Sequence, residues 1–132
     1  MKRVLLIDDD PVIGKIYGRK IANAGYEVQC AADATEGLFA LKQFRPDVVL
    51  LDLDMPGVNG VDWLREVRTY PNHQQLPVIV FSSGAHPWQM KAAWESDAMY
   101  VFAKTVTADA TLLDAVGDAA GDFAPIEIAA AA

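Results

Sequence analysis

Short unbroken apolar runs and stretches with helical spacing alternate along this chain, five times over. Val4 to Ile7 is a continuous apolar run ending at Asp8-Asp9-Asp10, the pattern of a strand buried on both faces. Pro11 suits the first turn of a helix with an aspartate before it as cap. Ile13, Ile16, Tyr17 and Ile21 then recur at helical spacing, and Gly25 is the expected stop. Glu27 to Ala31 reads as a second, weaker strand. Asp33 followed by Glu36 resembles a capping box, opening a helix through Leu38, Leu41 and Phe44 that Pro46 ends.

Asp47 to Leu51 is the strongest strand signal, and it runs straight into Asp52. Asp54-Met55-Pro56-Gly57-Val58-Asn59-Gly60 is loop chemistry, and a helix through Trp63, Leu64 and Val67 follows. Val78 to Phe81 predicts a fourth strand ending at Ser82-Ser83-Gly84. A helix from about Pro87 to Glu95, a fifth strand from Met99 to Ala103 and a last helix holding Leu112, Leu113 and Val116 complete the order. Five β–α units of this length imply an α/β fold: one parallel sheet with helices on both faces. No repeat, linker or second domain interrupts it. Residues 1–120 are read as one domain and 121–132, which lack periodicity, as a loose tail.

Composition narrows the classes of function. A formal net charge of −7 with the basic residues scattered singly gives no footprint for direct contact with nucleic acid or anionic lipid. No apolar run reaches the roughly 20 residues of a membrane span, and the start is too short for a signal peptide. Cys30 is the single cysteine, so no intramolecular disulfide forms. The expected setting is the cytoplasm, with Cys30 as a small core residue.

The polar residues collect at one edge. In open α/β sheets, ligands bind outside the carboxyl ends of the strands. The first strand ends in Asp8 and Asp9, the third in Asp52, the fourth in Ser82 and the fifth in Lys104. Two unit charges about 4 Å apart repel by about 4 kcal/mol at an effective dielectric of 20. Lys104 alone does not offset three carboxylates, and an all-oxygen donor set favours a hard dication such as Mg²⁺. Metal, lysine, hydroxyl and spare carboxylate together describe a phosphoryl site. Asp52 would be the nucleophile, and Lys104 and Ser82 would attend the phosphoryl oxygens.

The ordered set resembles the receiver domain of two-component response regulators, over about Lys2 to Ala120. It comprises the paired acid, Leu50-Leu51-Asp52-Leu53-Asp54-Met55-Pro56-Gly57-Val58-Asn59-Gly60, then Ser82, then Lys104. Asp9 and Asp52 are 43 positions apart, Asp52 and Ser82 are 30, and Ser82 and Lys104 are 22. The resemblance implies a flavodoxin-like sheet of order 2-1-3-4-5. It implies Mg²⁺ held by Asp8, Asp9, Asp52 and the backbone carbonyl of Asp54, with Asp52 as phosphoacceptor. Ser82 would be the switch hydroxyl and Lys104 the phosphate-pairing cation. The donor would be a phosphohistidine on a sensor histidine kinase or histidine phosphotransfer protein. With no output segment after the last helix, the signal would pass to a downstream protein partner; homodimerisation stays open. The module would catalyse its own phosphorylation and dephosphorylation only.

Two departures carry consequences. Family members usually place proline after the lysine, often in a cis peptide; here Thr105 stands there, and a cis bond before it would cost about 3–4 kcal/mol. The aromatic that usually lies three residues before the lysine is Val101, flanked by Tyr100 and Phe102. Strand side chains alternate, so these rings belong to the opposite face. Ser82 is therefore expected to switch without an aromatic partner. Asp97, where glycine is common, is expected to tolerate a left-handed backbone.

Plainer readings stand beside these. Asp10 reads as a cap and Ser83 as a loop polar; His73 and His86 read as solvent-facing. Trp63 is expected to pack inside. Of Trp88 and Trp94, one is expected in the core and the other exposed. A receiver that has lost phosphorylation and serves as a docking module is the alternative. An aspartyl-phosphate-forming phosphatase is a weaker one, since its Asp-x-Asp motif typically lies on the first strand. Three aspartates after the first strand would repel a flavin phosphate.

Overall fold

A computed structural model describes residues 1–122 of the chain. The strands are β1 (Arg3–Ile7), β2 (Glu27–Ala31), β3 (Val48–Leu51), β4 (Val78–Ser82) and β5 (Tyr100–Ala103). They alternate with helices α1 (Pro11–Asn23), α2 (Ala34–Gln43), α3 (Gly60–Arg68), α4 (Pro87–Glu95) and α5 (Asp109–Ala120). A short 3₁₀ turn, Pro71–His73, precedes β4. The sheet is parallel in the order β2-β1-β3-β4-β5, as expected. The expected tail lies outside the described residues from position 123 on.

Every residue of β3 and β4 is buried, which is why these segments read as unbroken apolar runs. Alternate side chains feed two cores. Val4, Leu6, Val48, Leu50, Ile79 and Phe81 meet α1 and α5 on one face. Leu5, Ile7, Val49, Leu51, Val78 and Val80 meet α2, α3 and α4 on the other.

The helix boundaries follow local chemistry. Asp10 Oδ1 accepts from Val12 N–H at 2.9 Å, with Pro11 as the first helical residue of α1. Asp33 accepts from Glu36 N–H at 2.8 Å, while Glu36 reaches back to Ala32 N–H at 2.7 Å, one residue before the usual capping-box partner. Gly25, just past α1, has φ +104°, and Asp97 takes a left-handed φ of +62°. The described residues contain no cis peptide bond, so Lys104–Thr105 is trans.

Three expectations, on the tryptophans, Cys30 and His73, are corrected. Both Trp88 and Trp94 are exposed, at 56% and 52%. The buried stripe of α4 is Gln89, Ala92 and Ala93, and Trp88 and Trp94 lie about 90° and about 150° around the helix from its centre. Cys30 is exposed because β2 is an edge strand, and the facing helix offers only Gly14 and Gly18 beside its Sγ, each with room for a Cβ 3.5 Å away. In α1 only Ile21 is fully buried; Ile16 is exposed. His73 is half-buried, its ring edge-on to Tyr70 at 6.2 Å. Trp63 is buried as expected.

Gly60 fixes how α3 meets the sheet. A Cβ there would stand 2.3 Å from the carbonyl oxygen of Asp52 and 2.7 Å from Leu53 Cα. Gly60→Ala is therefore expected to cost about 3 kcal/mol, the upper range for overpacking, although alanine is the better helix former by about 1 kcal/mol. Urea denaturation measures it, and a loss under about 1 kcal/mol would show that the junction can shift.

Candidate phosphoryl and metal site

The strand order reverses between β1 and β3, and both strands end in acid. The Asp8 N–H donates to Ala31 O at 3.0 Å and the Asp52 N–H to Ile7 O at 2.9 Å, carrying the ladder pattern one step past each strand. The two carboxylates are thereby held side by side at the rim of an apolar sheet. Asp8 is 6% exposed and Asp52 4%. Asp9 is exposed, and one carboxylate oxygen from each of Asp8, Asp9 and Asp52 can lie within 4.8 Å of the others.

The cation and the hydroxyl arrive from β4 and β5. Ser82, buried at the end of β4, donates its hydroxyl to Asp52 Oδ1 at 2.8 Å. The Lys104 N–H donates to Ser82 O at 3.0 Å, so the lysine continues β5 in register with the hydroxyl. Its Nζ lies 2.5 Å from Asp8 Oδ2 and 3.8 Å from Asp52 Oδ2, with the Phe81 ring 6.0 Å away. Asp54 N–H donates to Asp52 Oδ1 at 3.2 Å. Burial pushes the Asp52 carboxyl above its ordinary range. Ser82, Lys104 and the Asp54 N–H pull it back, and the Asp8 charge adds to the rise.

The expected site residues Asp8, Asp9, Asp52, Ser82 and Lys104 thus meet although far apart in sequence. Asp54 turns its carboxylate outward beside Gly84 and its amide inward. The donor set is all oxygen and carries more negative charge than Lys104 balances, which fits a hard dication such as Mg²⁺. Asp10, by contrast, is spent on the α1 cap.

Val101 packs against the core shared with α2, α3 and α4, whereas Tyr100 and Phe102 face the α1 and α5 side. Their rings stack 5.4 Å apart, and the Tyr100 hydroxyl donates to Asp118 at 2.5 Å. The β4–β5 register runs without a bulge, so no ring occupies the Val101 position. Thr105, directly after Lys104, is exposed. Sequence reasoning missed the Asp54 N–H bond and the close approach of Gly60. The glycine directly after Asn59, which caps α3, was the available signal.

Two cavities bracket the sheet. One of about 300 Å³ adjoins Asp8, Asp9 and Asp10 between Lys15, Cys30 and Glu36. A larger one of about 830 Å³ lies at the opposite end, among Leu41, Arg45 and His73, remote from the carboxylates. The clustered carboxylates adjoin the smaller cavity, not the larger one.

The chain is similar to known proteins. Residues 4–116 match the response regulator receiver domain. The sensory/regulatory protein RpfC of Xanthomonas campestris pv. campestris is 34% identical over 120 residues, covering 89% of this chain and 16% of that protein. The DNA-binding response regulator MtrA of Mycolicibacterium smegmatis is 30% identical over 97 residues, 74% of this chain and 41% of its own. The chain therefore spans only a minor part of either relative. The chemotaxis protein CheY4 of Vibrio cholerae is 27% identical and superposes with a TM-score of 0.82, over 90% of this chain and 98% of that one. The chain belongs to the response regulator receiver domain family of two-component systems.

Proposed function

We propose that this chain accepts a phosphoryl group on Asp52 from a phosphohistidine of a sensor histidine kinase or phosphotransfer protein, and passes the change to a protein partner. Receiver domains are signalling modules rather than classical enzymes, and they interact with such histidine proteins. One observation carries the reading. The carboxylate of Asp52, 4% exposed, accepts from Ser82 at 2.8 Å and lies 3.8 Å from Lys104, inside a cluster with Asp8 and Asp9.

In this reading residues 1–120 form the working unit in the cytoplasm. Asp8, Asp9, Asp52 and the backbone carbonyl of Asp54 would hold Mg²⁺. The bound ion supplies positive charge against the phosphoryl oxygens. An Asp52 oxygen attacks phosphorus while the P–N bond to the donor imidazole breaks, and the imidazole nitrogen leaves with the bonding pair. Lys104 then exchanges Asp8 for a phosphoryl oxygen, and Ser82 turns its hydroxyl from Asp52 Oδ1 to another. Among the described residues no helix is long and apolar enough to cross a membrane.

Intact mass after incubation with Mg²⁺ and a small phosphodonor tests the assignment, with Asp52→Asn in parallel. One added phosphoryl group is expected, absent without Mg²⁺ and absent in the variant. An unlabelled wild-type chain, beside a receiver that labels under the same conditions, would favour a docking module instead.

A further inference from the structure

The cavity of about 830 Å³ lies where β3 begins, a strand's length from Asp52. Two arginines outside it fix its walls. Arg3 donates from Nη1 to Phe44 O at 2.8 Å and from its backbone N–H to Asp47 Oδ2 at 2.8 Å, holding the end of α2 and the approach to β3. Arg68 donates from Nη1 to His73 O at 2.7 Å and Leu76 O at 2.8 Å. Its Nε and Nη2 hold Ser96 O and Asp97 O, both at 2.9 Å. The turn that lines the cavity across from α2 is thereby tied down at two carbonyls.

The groups left facing the space are cations and neutral donors. Lys42 and Arg45 line it from the end of α2, and Asn72, His73 and Gln75 from the other side. Among the described residues no ion pair involves Lys42 or Arg45. The acid in the lining, Asp47, already has one oxygen engaged by the Arg3 N–H. A cavity with two unpaired cations and one engaged carboxylate runs against the character of a chain whose net charge is −7. Leu41, Pro46 and Leu76 give the lining an apolar part.

Arg45 stands there against its backbone preference. Its φ is +53°, in the left-handed region that favours glycine, and it precedes Pro46, where extended backbone is the rule. The plain reading is that Lys42 and Arg45 offset the dipole of α2 at its C-terminus. The Arg3 guanidinium on Phe44 O already meets that need, and glycine at position 45 would close the helix without strain. Backbone strain of this kind collects where side chains clamp ligands.

We propose that this cavity binds a small phosphorylated anion, with Arg45 and Lys42 pairing its phosphate oxygens and Asn72, His73 and Gln75 donating N–H groups to them. Arginine offers phosphate a two-pronged fork and lysine a point charge. Two cations and three further donors match a chain of two or more phosphates better than a single carboxylate. The apolar part of the lining suits a nucleoside carried on that chain; inorganic pyrophosphate shares the phosphate chemistry without it. The site is separate from Asp52 and does not depend on the phosphoryl reading above.

The test follows amide resonances of the ¹⁵N-labelled full chain at low ionic strength, with ATP, pyrophosphate or adenosine as titrant. EDTA is present, so that no dication bridges phosphate to Asp8, Asp9 and Asp52. ATP or pyrophosphate is expected to give saturable shifts within residues 41–47 and 72–76 while Asp52, Ser82 and Lys104 stay in place, and adenosine none. Tighter binding of ATP than of pyrophosphate would identify a nucleotide as the ligand, and equal binding the inorganic anion. Lys42→Gln is expected to weaken binding about tenfold, the loss of one charge-assisted hydrogen bond. Arg45→Gly is expected to weaken it at least as much without lowering Tm, which separates lost binding from lost fold. The absence of saturable shifts with both phosphates would overturn the site, as would adenosine binding as tightly as ATP. Unchanged affinity in either variant, or an Arg45→Gly chain that melts below wild type, would overturn the roles given to these cations and the proposal with them.

Discussion

Lys104→Met is expected to lower stability by about 3–5 kcal/mol in metal-free buffer and to abolish phosphoryl uptake. The figure is that for breaking a buried ion pair by removing one partner. Lys104 and Asp8 meet at 2.5 Å with side chains only 11% and 2% exposed, and Asp52 lies 3.8 Å from the same ammonium. Methionine keeps the length of the stem but leaves two buried carboxylates facing each other without a counter-charge. Mg²⁺ would return part of the loss, because a ligand that binds only the folded chain stabilises it by about 1.4 kcal/mol at ten times its Kd. Denaturation with EDTA and with Mg²⁺ measures both effects. A variant as stable as wild type without metal would show that the pair contributes nothing net, as some buried pairs do.

Asp52→Asn is expected to abolish labelling and yet make the fold more stable near neutral pH, seen as a higher Tm. Burial raises the Asp52 carboxyl above its ordinary 3.8, so the folded chain binds that proton more tightly than the unfolded chain does. Below that value both states are protonated and the substitution changes little. As pH rises through the raised value the buried charge forms. The wild-type chain then loses stability that the variant keeps, and the gap is full once the carboxyl is ionised. Added Mg²⁺ narrows it by stabilising the charged form. Thermal melts between pH 3 and pH 7 without metal read the trend. A variant less stable than wild type at pH 7 would mean that Lys104 and Ser82 more than compensate the burial. Such a gain would place Asp52 among groups kept for function at a cost in stability.

Much of this was legible in order. Unbroken runs such as Val48 to Leu51 marked the buried strands, and Asp10, Asp33, Gly25 and Pro46 marked where helices start or stop. The acids and the lysine following those runs were readable as one site, because parallel strands deliver all their carboxyl ends to one edge. The shift of the rings to Tyr100 and Phe102 was legible for the same reason, strand alternation being a period of two. Trp88, Trp94 and Cys30 were not. Which face of α4 meets the sheet depends on Gln89, Ala92 and Ala93, small or polar residues that a hydrophobic pattern passes over. Cys30 is open because two glycines on another helix leave it so.

By itself, then, the sequence determined the element order, the parallel sheet and the set of groups at its edge, since these follow from periodicity, caps and strand polarity, which are local. The tertiary structure alone decided that Lys104 rests on Asp8, 96 positions away, rather than on Asp52. It also decided that Gly60 must lack a side chain, and that Arg68 ties four carbonyls across two helices. Those choices depend on which distant backbone comes within hydrogen-bond reach, and every residue offers the same carbonyl, so no pattern of side chains along the chain can mark them.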